Sequence, residues 1–209
     1  MIATYILMAV IAYAIGSVNF SVILSKRIAG FDVRERGSGN AGSTNMLRSV
    51  GKGAAALTLV LDIAKGLVAI LIAFLIGKIA KEANPAILVQ IAGFFAVLGH
   101  TFPIFFGFRG GKGVATSLGV LLLINPLIGV ICLVFALVVM ALTRMVSLGS
   151  IMAAVLFPVL TIFISDNYFV EGYNYIIFGV AMAALVIFNH RSNLKRIYAG
   201  TENRLGSKK

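Results

Sequence analysis

Polar residues in this chain gather in clusters, and long apolar stretches run between the clusters at about residues 2–24, 54–76, 85–106, 114–124, 127–142, 147–164 and 173–188. Most of these approach the ~20 apolar residues that a helix needs to cross a bilayer. The pattern predicts an all-α integral membrane protein with about seven transmembrane helices, some of them short. The stretch 114–124 is too short to cross about 30 Å of hydrocarbon, and reads as a half-helix shielded by its neighbours. Asn125-Pro126 marks the turn after it. No Lys or Arg precedes the first apolar run, which is also too long for a signal-peptide core, so it reads as a span.

Composition agrees with the pattern. The 209 residues are 60% hydrophobic and 12% charged, against roughly 45–50% and 25% in soluble domains. The formal charge is +11, yet a chain this apolar keeps its cations in short loops, where they set topology and hold anionic ligands rather than nucleic acid. Lys26, Arg27, Arg34, Arg36, Arg48 and Lys52 follow the first span, Arg109 and Lys112 the third, Arg144 the fifth, and Arg191, Lys195, Arg196, Arg204, Lys208 and Lys209 the last. With about seven spans all of these share one side. The other side holds Lys78 and Lys81 beside Glu82, Asp166 and Glu171. The asymmetry predicts an outside N-terminus and a cytoplasmic C-terminus. Cys132, the one cysteine, lies in an apolar run and excludes an intrachain disulfide or a Cys-based metal site.

Within the second span, Asp62 and Lys65 stand three apart on one helix face, where each can neutralise the other. An internal ion pair that fixes packing is the simpler reading, and a ligand site is the other. The remaining polar chemistry lies in loops. The first reads Gly37-Ser38-Gly39-Asn40-Ala41-Gly42-Ser43-Thr44-Asn45 and closes on Arg48. It matches G-x-G-x-x-G by spacing, but a membrane helix precedes it where a dinucleotide fold requires a strand. Ser38, Asn40, Thr44 and Asn45 offer neutral hydrogen bonds, Gly39 and Gly42 allow close backbone approach, and Arg48 offers a planar fork suited to phosphate.

A second loop reads Gly107-Phe108-Arg109-Gly110-Gly111-Lys112-Gly113 before the short fourth helix. Phe106 and Gly113 stand where a Walker loop requires Gly and Ser or Thr, so nucleotide hydrolysis is not indicated. What remains is a glycine nest of N–H groups around Gly110, Gly111 and Gly113, with Lys112 as mobile charge at a helix N-terminus. A third cluster follows the last span: His190, Asn193, Lys195 and Arg196, then Gly200 and Glu202. His190 and Asn193 are three apart and share a helix face. His100 and His190 lack the neighbouring carboxylates of a metal site, and each reads as a structural donor or a ligand contact. Ser147, at the start of the sixth span, either completes the pocket or caps its helix.

Taken together, Ser38-Gly39-Asn40 through Asn45 and Arg48, Gly99-His100 through Thr116, and His190 through Arg196 with Gly200 and Glu202 resemble the three motifs of the bacterial acyl-phosphate:glycerol-3-phosphate acyltransferase family (PlsY). The resemblance covers nearly the whole chain, with Leu194 standing where Ile is common. It implies transfer of a fatty acyl group from acyl phosphate to the 1-hydroxyl of glycerol 3-phosphate, giving lysophosphatidic acid and phosphate in phospholipid synthesis. It also implies a single domain over 1–209 in the bacterial cytoplasmic (inner) membrane, with the site facing the cytoplasm. No cofactor is implied. The partners implied are the two substrates, membrane lipids and a peripheral enzyme that forms acyl phosphate.

The residues suit that chemistry. The His-x4-Asp pair of other glycerolipid acyltransferases is missing, since Phe105 stands five positions after His100 and Lys195 five after His190. No Ser-His-Asp or Cys-His set can be assembled. An activated donor needs no protein nucleophile, so Ser38, Arg48, Lys112, Ser147, His190 and Asn193 are expected to hold phosphates and stabilise charge. A transporter of a phosphorylated metabolite is the rival reading. It predicts phosphate contacts near the midplane and paired repeats, whereas these motifs cluster at one face.

Overall fold

The computed structural model describes residues 2–82, 84–164 and 173–206, which are helical with irregular connections and no strand among them. Five of these helices are long and apolar enough to cross a membrane, or six if the bent pair Tyr175–Asn189 and Arg191–Tyr198 is one span. Val114–Ile124 is a shorter apolar helix. Among the charges that set the expected topology, Asp166, Glu171, Lys208 and Lys209 lie outside the described residues. The chain divides into two compact units, Met1–Ile124 and Asn125–Lys209.

In the first unit, the first apolar run is two helices, α1 (Ile2–Gly16) and α2 (Phe20–Ala29). Asn19 starts α2 afresh, its side-chain oxygen accepting from the N–H of Val22 and the hydroxyl of Ser21. The break removes the carbonyl of Val18 from the helical ladder. In hydrocarbon such a group needs a partner, and Lys65 Nζ supplies it at 2.8 Å. Gly30, left-handed at φ 74°, ends α2.

Then follow α3 (Ser43–Ser49), α4 (Lys52–Ile79), α5 (Pro85–Thr101) and α6 (Val114–Ile124). Helix α1 packs on α5, and α4 on α6. Both crossings are glycine contacts. A Cβ at Gly16 would strike the carbonyl of Ala96, and one at Gly99 the carbonyl of Tyr13. Gly66 meets the carbonyl of Thr116, and Gly119 that of Ile63. Lipid offers no hydrophobic drive between helices, so such close backbone approach holds them together. Eleven residues at 1.5 Å of rise make α6 about 16 Å long, the half-helix expected from its sequence.

In the second unit, α7 (Pro126–Thr143) opens with Asn125 as cap and Pro126 in the first turn. Its end is the left-handed Arg144 at φ 61°. Helix α8 (Val146–Phe163) packs on α9 (Tyr173–Asn189), where Phe157, Tyr175 and Phe178 form an aromatic cluster with centroids 5.9–6.2 Å apart. The short polar α10 (Arg191–Tyr198) turns away by 63°.

The α1–α5 crossing gives a direct stability test. Gly99→Leu places side chain against backbone that cannot move aside, and should cost at least the ~1–3 kcal/mol of an overpacked core. Gly53→Ala, on α4 with nothing within 4 Å, should be neutral or stabilise by less than about 1 kcal/mol. Thermal unfolding in detergent distinguishes the two.

Candidate functional site

The loop after α2 is built around one amide. Asn45, buried in α3, donates from Nδ2 to the carbonyls of Val33 (2.8 Å), Arg36 (3.0 Å) and Asn40 (3.0 Å), while its Oδ1 accepts from the N–H of Ser38 (2.9 Å). The loop wraps so closely that a Cβ at Gly37 would collide with Asn45 Oδ1. Beneath it, Val22, Val33, Ala41, Met46 and Ala55 form an apolar floor joined by Phe106 of the next loop. The consequence is a rigid loop that presents outward what it does not use. Ser38, Gly39 and Arg48 are exposed; Asn40, Gly42 and Thr44 are half-buried. Asn45, expected among the ligand contacts, makes all these bonds within the loop.

The glycine loop of residues 102–113 doubles back on the end of α5. The N–H of Gly110 donates to the carbonyl of Thr101, and that of Gly111 to the carbonyl of His100, both at 3.1 Å. These two N–H groups are therefore occupied by the loop's own fold, not aimed at an anion as the glycine run suggests. Both glycines are there for close approach: a Cβ at Gly110 would strike the carbonyl of His100, and one at Gly111 its Nε2. Gly113, at φ 87°, turns the chain into α6, and half-exposed Lys112 stands just before that helix N-terminus. The dipole there favours an anion.

His100 is buried on α5, its Nδ1 3.5 Å from Asp62 Oδ1, which is itself 2.9 Å from Lys65 Nζ. The Asp62–Lys65 pair is an ion pair extended to a histidine, and Lys65 also serves the α1–α2 break. That favours the packing role over a ligand site. His100 sits inside this network and against Gly111.

In the second unit a single carboxylate gathers three side chains. Glu202 Oε1 accepts from Ser147 Oγ (2.9 Å) and Asn193 Nδ2 (2.7 Å), and Oε2 from Arg196 Nε (2.8 Å). The tail is pinned beyond it, with Leu205 N–H donating to the carbonyl of Arg144 at 2.7 Å and Arg144 Nε to that of Leu205 at 3.1 Å. Ser147 does not cap its helix; its hydroxyl serves Glu202. Burial alone would raise the Glu202 carboxyl, but donors from Asn193, Ser147 and Arg196 outweigh it and hold its pKa below the usual value. His190, buried at the bend between α9 and α10, has Nδ1 2.8 Å from the carbonyl of Val186. A carbonyl only accepts, so Nδ1 carries a proton.

Sequence reasoning gave no site role to Asp32, Arg34 or Glu202. Asp32 and Arg34 read only as loop charges, although they bond each other and Arg34 reaches the second loop. Glu202 was visible in the third motif, but nothing local joins it to Ser147, 55 positions earlier.

Comparison with known proteins is consistent across sequence and structure. The sequence model of the glycerol-3-phosphate acyltransferase family matches residues 6–200. The chain is 44% identical over 212 residues to a glycerol-3-phosphate acyltransferase of Clostridioides difficile (strain 630), covering 100% of this chain and 98% of the relative. It is 46% identical over 203 residues to that of Thermoanaerobacter pseudethanolicus, covering 97% and 96%. Among solved structures it resembles PlsY (YgiH), an integral membrane glycerol 3-phosphate acyltransferase, in its glycerol 3-phosphate form, with a TM-score of 0.85 at 34% identity, covering 97% of this chain and 96% of that one. The lysophosphatidic acid form of PlsY gives 0.82 at 32% identity, covering 97% and 95%.

The carboxylate of Glu202 has a testable pH signature. Because its folded pKa is depressed, its stabilisation is complete above the ordinary value of 4.5 and is lost as pH falls through the folded value. Glu202→Gln should lower Tm at pH 7 by on the order of 5 °C. The gap to wild type should narrow below pH 4.5, as measured by thermal unfolding across a pH series.

Proposed function

The chain belongs to the glycerol-3-phosphate acyltransferase family, and we propose that it transfers a fatty acyl group from acyl phosphate to the 1-hydroxyl of glycerol 3-phosphate. The observation that carries this reading is exposed Ser38, on a loop whose own polar groups are internally bonded, and exposed Arg48 on α3 beside it, with that loop joined through the N–H of Ala41 and the carbonyl of Gly110 to the loop that brings Lys112 to the N-terminus of α6. A preformed cationic surface of that kind suits phosphate-bearing substrates. The solved PlsY structures in glycerol 3-phosphate and lysophosphatidic acid forms support carrying the acceptor and product over to this chain.

The chemistry needs no protein nucleophile. The acceptor hydroxyl oxygen attacks the acyl carbonyl carbon, the bond from that carbon to the phosphate oxygen breaks, and the departing phosphate takes the hydroxyl proton. Holding both substrates in attack geometry supplies up to ~7–11 kcal/mol in ideal intramolecular cases. Lys112 and Arg48 stabilise the negative charge that grows on the carbonyl and phosphate oxygens. Ser38, His190, Asn193 and Ser147 fix the substrates by hydrogen bonds. Asn40 and Thr44 offer further hydrogen bonds to the substrates, Gly39, Gly42 and Gly113 let backbone approach them, and Asn45, Gly110 and Gly111 give the loops their shape.

Residues 1–209 then act as one catalytic domain in the bacterial cytoplasmic membrane, with the N-terminus outside and the motifs at the cytoplasmic face. Acyl phosphate is supplied there by a peripheral enzyme that forms it.

Purified protein should convert acyl phosphate and glycerol 3-phosphate to equal amounts of lysophosphatidic acid and phosphate, with no comparable turnover of acyl-CoA. Equal use of acyl-CoA would refute the donor assignment. Lys112→Ala should lower kcat about 10²–10³-fold, the scale for loss of one charge-stabilising donor. Arg48→Lys should retain only part of the activity, because it keeps the charge without the fork.

A further inference from the structure

Arg34 and Asp32 belong to neither phosphate-binding group, yet they join the two loops that carry them. Asp32 is buried and caps the turn Val33–Glu35, its Oδ1 accepting from the N–H of Arg34 at 3.0 Å. The same carboxylate grips the guanidinium side-on, Oδ1 accepting from Nε at 3.0 Å and Oδ2 from Nη2 at 2.8 Å. The plane of the guanidinium is thereby set, and Nη1 is aimed at the second loop. It donates to the carbonyls of Phe106 (2.6 Å) and Arg109 (3.1 Å).

Those carbonyls flank Gly107 and Phe108, both left-handed, at φ 66° and 57°. A phenylalanine resists that conformation and holds it only where its surroundings impose it. Arg34 straddles the turn, and Phe106 packs on the apolar floor of the first loop. The chain then passes directly through Gly110 and Gly111 to Lys112, with the N–H of Ala41 reaching the carbonyl of Gly110 at 3.4 Å. The Arg34 side chain is only 17% exposed and its fork is occupied by protein, so it is not itself arranged as a phosphate ligand.

We infer that Arg34, held by Asp32, is a positioning residue that fixes the Lys112 loop against the loop bearing Ser38 and Arg48. The inference rests on the acyl-transfer role proposed above for Lys112. Hydrogen bonding from Arg34 is the main cause that pulls the Asp32 carboxyl down to about 2, so the clamp stays ionised throughout the neutral range. Lysine cannot replace the arginine, because one ammonium cannot hold a carboxylate edge-on and reach two carbonyls in a fixed plane.

The test is a double-mutant cycle of Arg34→Gln and Lys112→Ala, with kcat and KM measured at saturating partner substrate. Arg34→Gln should lower kcat by on the order of 100-fold with little change in KM, the scale of a misplaced reacting group. In the Lys112→Ala background it should lower kcat by less than about 3-fold, because its effect runs through Lys112. Equal factors in both backgrounds, or full kcat in Arg34→Gln, would overturn the inference. Arg34→Lys provides the same cycle with the charge kept, should Arg34→Gln fold poorly. Amide hydrogen exchange gives a readout free of activity: Arg34→Gln should speed exchange in 102–113 while α5 stays protected, and unchanged exchange there counts against the clamp. Wild-type protein inactive with these substrates would instead fail the acyl-transfer reading, and the exchange result would still decide the clamp.

Discussion

Every backbone polar group of a chain that lies largely in hydrocarbon has to find its partner within the protein. Helices satisfy most of them, and the places where helices stop are where this protein uses its buried polar side chains. Lys65 answers the carbonyl that the α1–α2 break exposes. Asn45 collects the carbonyls of the first loop, and those of His100 and Thr101 receive the glycine N–H groups of the second. Glu202 does the equivalent for side chains, gathering Ser147, Asn193 and Arg196.

That division of labour suits the proposed acyl transfer, in which the protein holds two phosphate-bearing substrates and supplies no nucleophile of its own. With the proposed acyl-phosphate donor, which is already activated, the protein would need rigidity and positive charge more than reactive side chains. Rigidity comes from internally bonded loops set over an apolar floor. Charge comes from Arg48 on α3 and from Lys112 at the mouth of α6, where the helix dipole adds to it. His100, enclosed with Asp62 and Lys65, belongs to the scaffold, and His190 keeps one nitrogen for its own backbone.

Much of this was legible in the chain because membrane solvation writes a strong pattern. The short α6, the Asn125-Pro126 start of α7, the Asp62–Lys65 pair and the exposed Ser38 and Arg48 all follow from local residues. What was not legible depends on distant partners. The break between α1 and α2 falls at Ser17-Val18-Asn19 inside an otherwise apolar run, and the carbonyl it frees is answered by a lysine 47 positions away. Asn45 reads as a free donor until the loop folds around it, and the N–H groups of Gly110 and Gly111 read as an anion nest until α5 is seen to end beside them. Arg34 is one arginine among several until its fork is seen to bridge two loops.

The central claim is that the leaving phosphate, not a histidine, accepts the proton. The direct measurement is kcat against pH at saturating substrates for wild type, His100→Ala and His190→Ala, with folding verified for each. A substrate phosphate with a second pKa of about 6 should give an acidic limb in all three, with His190→Ala slower throughout because its substrate is less well held. Loss of that limb in a folded His190→Ala or His100→Ala variant that still binds substrate would show a histidine acting as general base, and would contradict the account.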